Sequence, residues 1–428
     1  MHGQASLVDT SMNAEILSIG DELLIGQVTN SNASFIAEQL NTVGIFADTM
    51  TTIGDDEQAI LGAFDRAYRT HDVITVTGGL GPTHDDITRA AVCKFFKTNL
   101  TRDDEALANI KGIFAKRNIT LIKRNEDQAL VPEGCIVMQN HVGTAPGYFF
   151  ERDKRYFIVM PGVPSEMKEM MTRFVVPFFD KRGIGTSICH RTLKTTGIAE
   201  SLLAEKIGDI DRLFLPDSGL TLAYLPSAAG VRLRISARAS SRPEALRLIQ
   251  EVEGKLRTMV ETYIYGTDTE ELEEVLGKLL AERNLTLSIA ESCTGGLIAD
   301  RITNVSGSSR YFERGLVTYS NEAKIDELGV PISMIEQYGA VSREVAEAMA
   351  LGIRTKSGTD IGLSTTGIAG PTGGTPEKPV GLVWIGYSDK YEATALRFNF
   401  GDQRLRFKER AAQAAMDLVR RKLLKIGV

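Results

Sequence analysis

The stretch GSSRYFERGLVTYSNEAK, residues 307–324, sets Ser308 and Ser309 on a Gly-hinged turn, Tyr319 at the end of an apolar run and Lys324 five residues further on. A serine hydroxyl is a weak nucleophile until a neighbouring base removes its proton. Histidine is not available for that task here, because the five histidines are His2, His71, His84, His141 and His190. The remaining base at neutral pH is a lysine whose charge is disfavoured, and burial can lower a lysine pKa by up to ~3–5 units. On this reading Ser309 attacks, Lys324 accepts the proton, and Tyr319 relays it or holds the lysine. An amide then becomes an acyl-enzyme that water clears, with no cofactor. Plainer roles fit the same residues: a Ser-Ser cap, a half-buried strand tyrosine and a solvated lysine on a helix. Cys293 is a rival nucleophile with no visible base partner.

Four glycine-marked segments in the same third of the chain, AESCTGG, SGSS…TYSNEAK, TTGIAGPTGG and FGDQR, fall at predicted strand ends and together describe a pocket. Ser292, Cys293 and Thr294 precede a glycine pair at a strand-to-helix turn, where amides and hydroxyls can bind an anion. Thr366 opens a long loop able to close over a ligand.

A second constellation lies near the start. In GGLGPTHDDIT, Gly78, Gly79 and Gly81 let the backbone turn its amides toward an anion, and Asp85 and Asp86 either cap the next helix or hold a divalent cation against phosphate. GDEL with Glu22, Asn30 and Asn32, and GDD ending at Asp56 could reach the same edge.

The elements that must position these residues follow from periodicity. Residues 14–175 alternate strand-like runs (AEILSIG, IFADTMTTI, DVITVTGG) with amphipathic helical ones, a βαβαβ pattern with a parallel sheet, whose ligands sit at the carboxyl ends of strands. Residues 176–262 read as a small α+β unit and residues 266–428 as a second α/β unit, with residues 1–13 as a flexible tail in which Met12 could be the initiator.

Composition narrows the function class. With 43% apolar and 24% charged residues over 428 positions, the chain is long for one core and is expected to fold as two or three domains. A net charge of -6 offers no footprint for nucleic-acid phosphates, so no nucleic-acid partner is expected. Four scattered cysteines form no C-x-x-C pair, which suits a reducing compartment. No apolar run approaches the ~18 residues of a membrane span, so no membrane partner is expected and the cytoplasm is the expected location.

GGLGPTHDD, GDELLIGQVTNSN and PGVPSEM, together with AESCTGG, VSGSSRYFERGLVTYSNEAK, GAVS and GIAGPTGGTPEKPVG, resemble the CinA family of competence/damage-inducible proteins over the whole chain. The resemblance implies an α/β protein: an N-terminal molybdopterin-binding-like parallel-sheet domain, a small α+β KH-like middle domain and a C-terminal α/β nicotinamide-nucleotide amidase domain. It implies hydrolysis of nicotinamide mononucleotide to nicotinate mononucleotide and ammonia, with Ser309 as nucleophile, Tyr319 and Lys324 as the base system, and Ser292 and Thr366 in the pocket. Arg404 is then the phosphate-side arginine, with Arg406 as the alternative because Gln403 follows Gly-Asp. For the N-terminal domain it implies a metal-dependent ADP-ribose pyrophosphatase using Asp56 and Asp86. The middle domain lacks a basic G-x-x-G loop, so a spacer or dimerisation role is expected, with a homodimer as the assembly. A competence or DNA-damage accessory binding protein and a molybdopterin-binding protein are the rival readings.

Overall fold

The computed structural model describes residues 12–81, 83, 86–182, 187–214 and 218–427; the expected tail lies almost wholly outside these. The chain divides into two compact units, residues 1–189 with 237–247 and residues 190–236 with 248–428.

In the first unit the buried, β-branched run Val73–Thr77 forms β3, flanked by β1 (Asn13–Ile19) and β8 (Arg155–Met160). With β2 (Phe46–Ile53), β6 (Ile136–Met138) and β7 (Gly147–Arg152) the sheet runs β2-β1-β3-β8-β7-β6, while β4 (Leu100–Arg102) and β5 (Leu130–Pro132) form a separate ribbon. The four strands β2, β1, β3 and β8 are parallel; β7 and β6 are antiparallel additions. Strand side chains alternate between faces, so Leu17, Ile74 and Phe157 join one core and Ile16, Val73 and Ile158 the other. The Glu57–Thr70 helix closes the first core with Phe64, and the Ser31–Thr42 helix closes the second with Ile36 and Leu40. Helices on both faces are what a parallel sheet requires. The expected boundary at 175 falls short: the Val176–Arg182 helix buries Phe179, and Phe178 packs 4.5 Å from the Phe149 ring, so this core extends through that helix.

A four-stranded sheet of order β10-β11-β9-β12 forms the KH-like part, from β9 (Ser187–Thr195), β10 (Leu220–Ser227), β11 (Gly230–Ala239) and β12 (Ile264–Thr267). The last part of the chain is a five-stranded sheet of order β14-β13-β15-β16-β17, comprising β13 (Leu287–Glu291), β14 (Phe312–Val317), β15 (Ile361–Gly367), β16 (Leu382–Ser388) and β17 (Ala393–Asn399). β13, β14 and β15 are parallel, and β16 and β17 antiparallel, so three carboxyl ends share one edge. On one face the closing helix, Arg404–Leu424, buries Phe407, Met416 and Val419, each worth roughly 1.5–3 kcal/mol relative to exposure. On the other lies the Arg343–Ser357 helix, packed so closely that a Cβ at Gly362 would stand 2.1 Å from the Ala350 carbonyl oxygen.

Candidate active site

The carboxyl edge of β13, β14 and β15 assembles the C-terminal site. Ser292 follows β13 directly; its amide donates to the Thr365 carbonyl at 3.0 Å, and the Thr318 amide after β14 donates to the Glu291 carbonyl at 2.8 Å. The chain leaving β14 then turns at Ser320, whose hydroxyl caps the Asn321–Leu328 helix by accepting from the Ala323 amide at 3.0 Å. That cap folds the helix back, so that Lys324 enters the protein and is only 1% exposed.

Lys324 Nζ lies 3.3 Å from Ser292 Oγ and donates to the carbonyls of Thr318, Tyr319 and Ser320 at 3.0, 3.1 and 3.3 Å. Burial holds its pKa below the ordinary lysine value, opposed by the charges of Cys293 and Glu322. The Cys293 part of that opposition needs a thiolate, yet burial pushes the Cys293 thiol up to about 12, so the thiol is uncharged at neutral pH. The same burial disqualifies Cys293 as the nucleophile.

Ser309 is elsewhere. It sits exposed in the short turn Ser308–Arg310 before β14, and Lys324 comes after that strand. Six residues of β-strand at ~3.3 Å each separate the two edges by about 20 Å. Ser309 and Lys324 are therefore not brought together, and the assignment of Ser309 as the nucleophile attacking beside Lys324 is corrected: the serine beside the lysine is Ser292, expected only to line the pocket.

Tyr319 contributes twice. Its main-chain carbonyl seats Lys324, whereas its phenol, 62% exposed, accepts from Arg404 Nη2 at 3.2 Å. The phenol thus braces the arginine and not the proton path. Arg404 Nη1 donates to the Gly370 carbonyl at 3.1 Å, tying the first residue of the closing helix to the TTGIAGPTGG loop. Thr366 is buried, its hydroxyl given to the Ala340 carbonyl at 2.7 Å, which makes it an anchor for that neighbouring loop.

Several amides in and just after the AESCTGG turn are already engaged within the protein. The buried carboxylate of Glu291 accepts from Gly296, Ile298 and Ala299 at 2.9, 3.2 and 2.9 Å and closes the start of the Leu297–Thr303 helix. Cationic charge comes instead from Lys408, one helical turn beyond Arg404: a Cβ built at Gly295 would stand 3.3 Å from its Nζ. Sequence reasoning missed Lys408, although its i,i+4 spacing from Arg404 was the available signal.

At the N-terminal edge the glycines make the tight turn, but two of their amides are spent inside the protein, Gly78 donating to the Met160 carbonyl at 3.2 Å and Gly81 to Asp86. Gly78 has φ 117°, and a Cβ there would fall 2.1 Å from the Ile19 carbonyl oxygen. Gly79 turns against Thr88 and Gly81 against Asp86. The acidic residues mostly serve the loops themselves. Asp86 accepts from the Gly81 and Thr83 amides at 2.7 Å each and from the Thr83 hydroxyl, and Asp56 caps the Glu57–Thr70 helix through Ala59 at 2.8 Å. Asn30 caps the Ser31–Thr42 helix through Ala33 at 3.1 Å, and Glu22 folds against Gly20. Asp85 lies outside the described residues. Among the described residues no three His, Cys, Asp or Glu side chains converge on a cation position, so Glu22 and Asp86 form no ready-made metal cage. Asn32 is the open group: its amide nitrogen donates to Thr77 Oγ1 at 3.1 Å and to the Gly162 carbonyl at 2.8 Å, leaving the buried Oδ1 without a donor.

Fold and site define a three-module α/β protein whose last module holds a buried serine–lysine pair. Comparison with known proteins gives one family match around each of the three main sheets: residues 15–181 match the family described as "Probable molybdopterin binding domain", residues 190–266 the damage-inducible protein CinA KH domain, and residues 269–423 the CinA C-terminal domain. A CinA-like protein of Chloroherpeton thalassium is 46% identical over 417 residues, spanning 96% of this chain and 99% of that one. A CinA-like protein of Salinibacter ruber is 44% identical over 414 residues, spanning 96% and 100%. Among solved structures, competence/damage inducible protein CihA from Agrobacterium tumefaciens is 37% identical, covering 36% of this chain and 97% of that one with a TM-score of 0.34. The chain belongs to the CinA family.

Proposed function

We propose that the C-terminal module is a metal-independent amidase acting on nicotinamide mononucleotide, with Ser292 as nucleophile and Lys324 as general base. The observation that carries this reading is the 3.3 Å approach of a 1%-exposed lysine nitrogen to a serine hydroxyl. As an ammonium, Lys324 donates to Ser292; as a neutral amine it keeps two hydrogens for the surrounding carbonyls and turns its lone pair to the hydroxyl hydrogen. Ser292 Oγ then attacks the carboxamide carbon, Lys324 takes the proton and delivers it to the departing nitrogen, and ammonia leaves. Water, deprotonated by the same amine, attacks the ester, and the proton returns to Ser292 as the carboxylate product forms. Arg404 and Lys408 at the mouth supply charge for the phosphate of a mononucleotide.

Incubation of the protein with nicotinamide mononucleotide, with ammonia and nicotinate mononucleotide quantified, tests this directly. Ser292→Ala should abolish release, and a fully active Ser292→Ala protein would remove the proposal.

For the N-terminal module a second reading is favoured by the unpartnered Asn32 Oδ1 beside the glycine loop: a nucleotide diphosphate such as ADP-ribose, its phosphates against the glycine turn and a hydroxyl or amino group donating to Asn32. The described carboxylates do not fit a preassembled divalent-metal site, so no metal-dependent cleavage step is derived. Calorimetric titration with ADP-ribose, with and without chelator, checks the reading, and binding unaffected by Asn32→Ala would refute it.

A further inference from the structure

The second unit contains a cavity of about 660 Å³, between the loop after β9, the β10–β11 turn, the end of β17 and the middle of the closing helix, with neither Ser292 nor Lys324 in its lining. A volume of this size suits a small-molecule ligand. One wall is aromatic: Phe398 and Phe400 both line the cavity and stack with ring centroids 5.4 Å apart and planes at 16°. Behind them Gln413, only 3% exposed, forms part of the lining. Arg301 Nη2 donates to Gln413 Oε1 at 3.0 Å, which fixes the amide orientation and leaves Nε2 as the end without a partner. A buried amide donor with nothing to accept from it is uncommon, and the cavity is where an acceptor would come from. Arg410 also lines the space and makes no ion pair among the described residues, whereas Arg421 is already held by Asp417 at 2.8 Å. Glu200 brings one carboxylate to the rim.

We propose that this cavity is a binding site for a nucleoside monophosphate. A planar heteroaromatic base packs against the Phe398–Phe400 wall and presents an acceptor to Gln413 Nε2. The ribose hydroxyls donate to Glu200, as a carboxylate commonly receives them, and the phosphate lies on Arg410.

The test is isothermal titration of the full chain with adenosine 5′-monophosphate, alongside Arg410→Glu, which alters an exposed rim charge, and Ala414→Trp, which fills the cavity. Saturable one-site binding is expected, weakened at least about tenfold by Arg410→Glu and lost in Ala414→Trp, with Ser292→Ala and Asp86→Asn unchanged. A normal melting profile for Arg410→Glu separates lost binding from misfolding. The proposal is overturned by absence of saturable heat with adenosine, guanosine, cytidine and nicotinamide monophosphates. It is equally overturned by binding that survives both cavity variants, or that falls only in Ser292→Ala or Asp86→Asn.

Discussion

At the scale of single residues, the amidase reading depends on a lysine that can lose its proton. A general base contributes roughly 10²–10⁴-fold, so Lys324→Met should lower kcat for ammonia release by that factor, and Lys324→Arg should do the same despite retaining the charge, because guanidinium does not deprotonate. Ser309→Ala should stay within about twofold of the parent, as an exposed turn substitution does; near-complete inactivation would return that serine to the mechanism. The pH dependence has a definite sign. Burial lowers the Lys324 pKa, so the competent neutral amine accumulates below the pH at which a free lysine titrates, and kcat/KM should rise with pH and level off within that window. In the same window the unfolded chain carries the extra proton, so stability relative to Lys324→Met should increase with pH between the lowered and the ordinary lysine pKa. Denaturant titrations of the two proteins at several pH values measure that difference, and a difference that shrinks with rising pH would contradict it.

At the scale of elements, the sequence made the sheet edges legible but not which serine faces which base. Short apolar runs followed by glycine-bearing turns, AEILSIG, DVITVTGG and LTLSIAES, were enough to find β1, β3 and β13. The Ser309–Lys324 pairing failed because nearness in sequence was read as nearness in space, although a six-residue strand carries the chain across the sheet between them. Counting the strand would have favoured Ser292, which follows a parallel neighbour at the shared edge. The role of Glu291 was hidden for a related reason: a carboxylate at the last position of a buried strand reads as an anomaly until the helix it caps is seen. Glu291→Ala should leave three amides without their acceptor and cost on the order of 1–3 kcal/mol, with loss of ammonia release as Ser292 shifts. Chemical denaturation and the amidase assay read the two effects, and an unchanged midpoint would show that water replaces the carboxylate.

At the scale of the whole molecule, the modular order was visible from changes in pattern, and the boundary error at 175 came from a helix whose phenylalanines belong to the preceding core. The large cavity was not legible, since its walls come from a hairpin, a strand and a helix far apart in sequence. No helix among the described residues is long and apolar enough to cross a membrane. The amidase and ADP-ribose readings occupy different units, which predicts separable losses. Asp86→Asn removes one acceptor from the loop bonds to Gly81 and Thr83 and should weaken ADP-ribose binding, while ammonia release stays within about twofold. Loss of both activities together would tie the sites to each other.

The seat of Lys324 is built from three peptide oxygens, one of them belonging to Tyr319, whose ring meanwhile steadies Arg404 at the entrance. The lysine is thus held by the shape of the main chain at 318–320, which the Ser320 cap maintains. On the proposed amidase reading, replacing Tyr319 by phenylalanine would free Arg404 from its brace while leaving the lysine's seat in place, so grip on the phosphate could be tuned from the doorway alone.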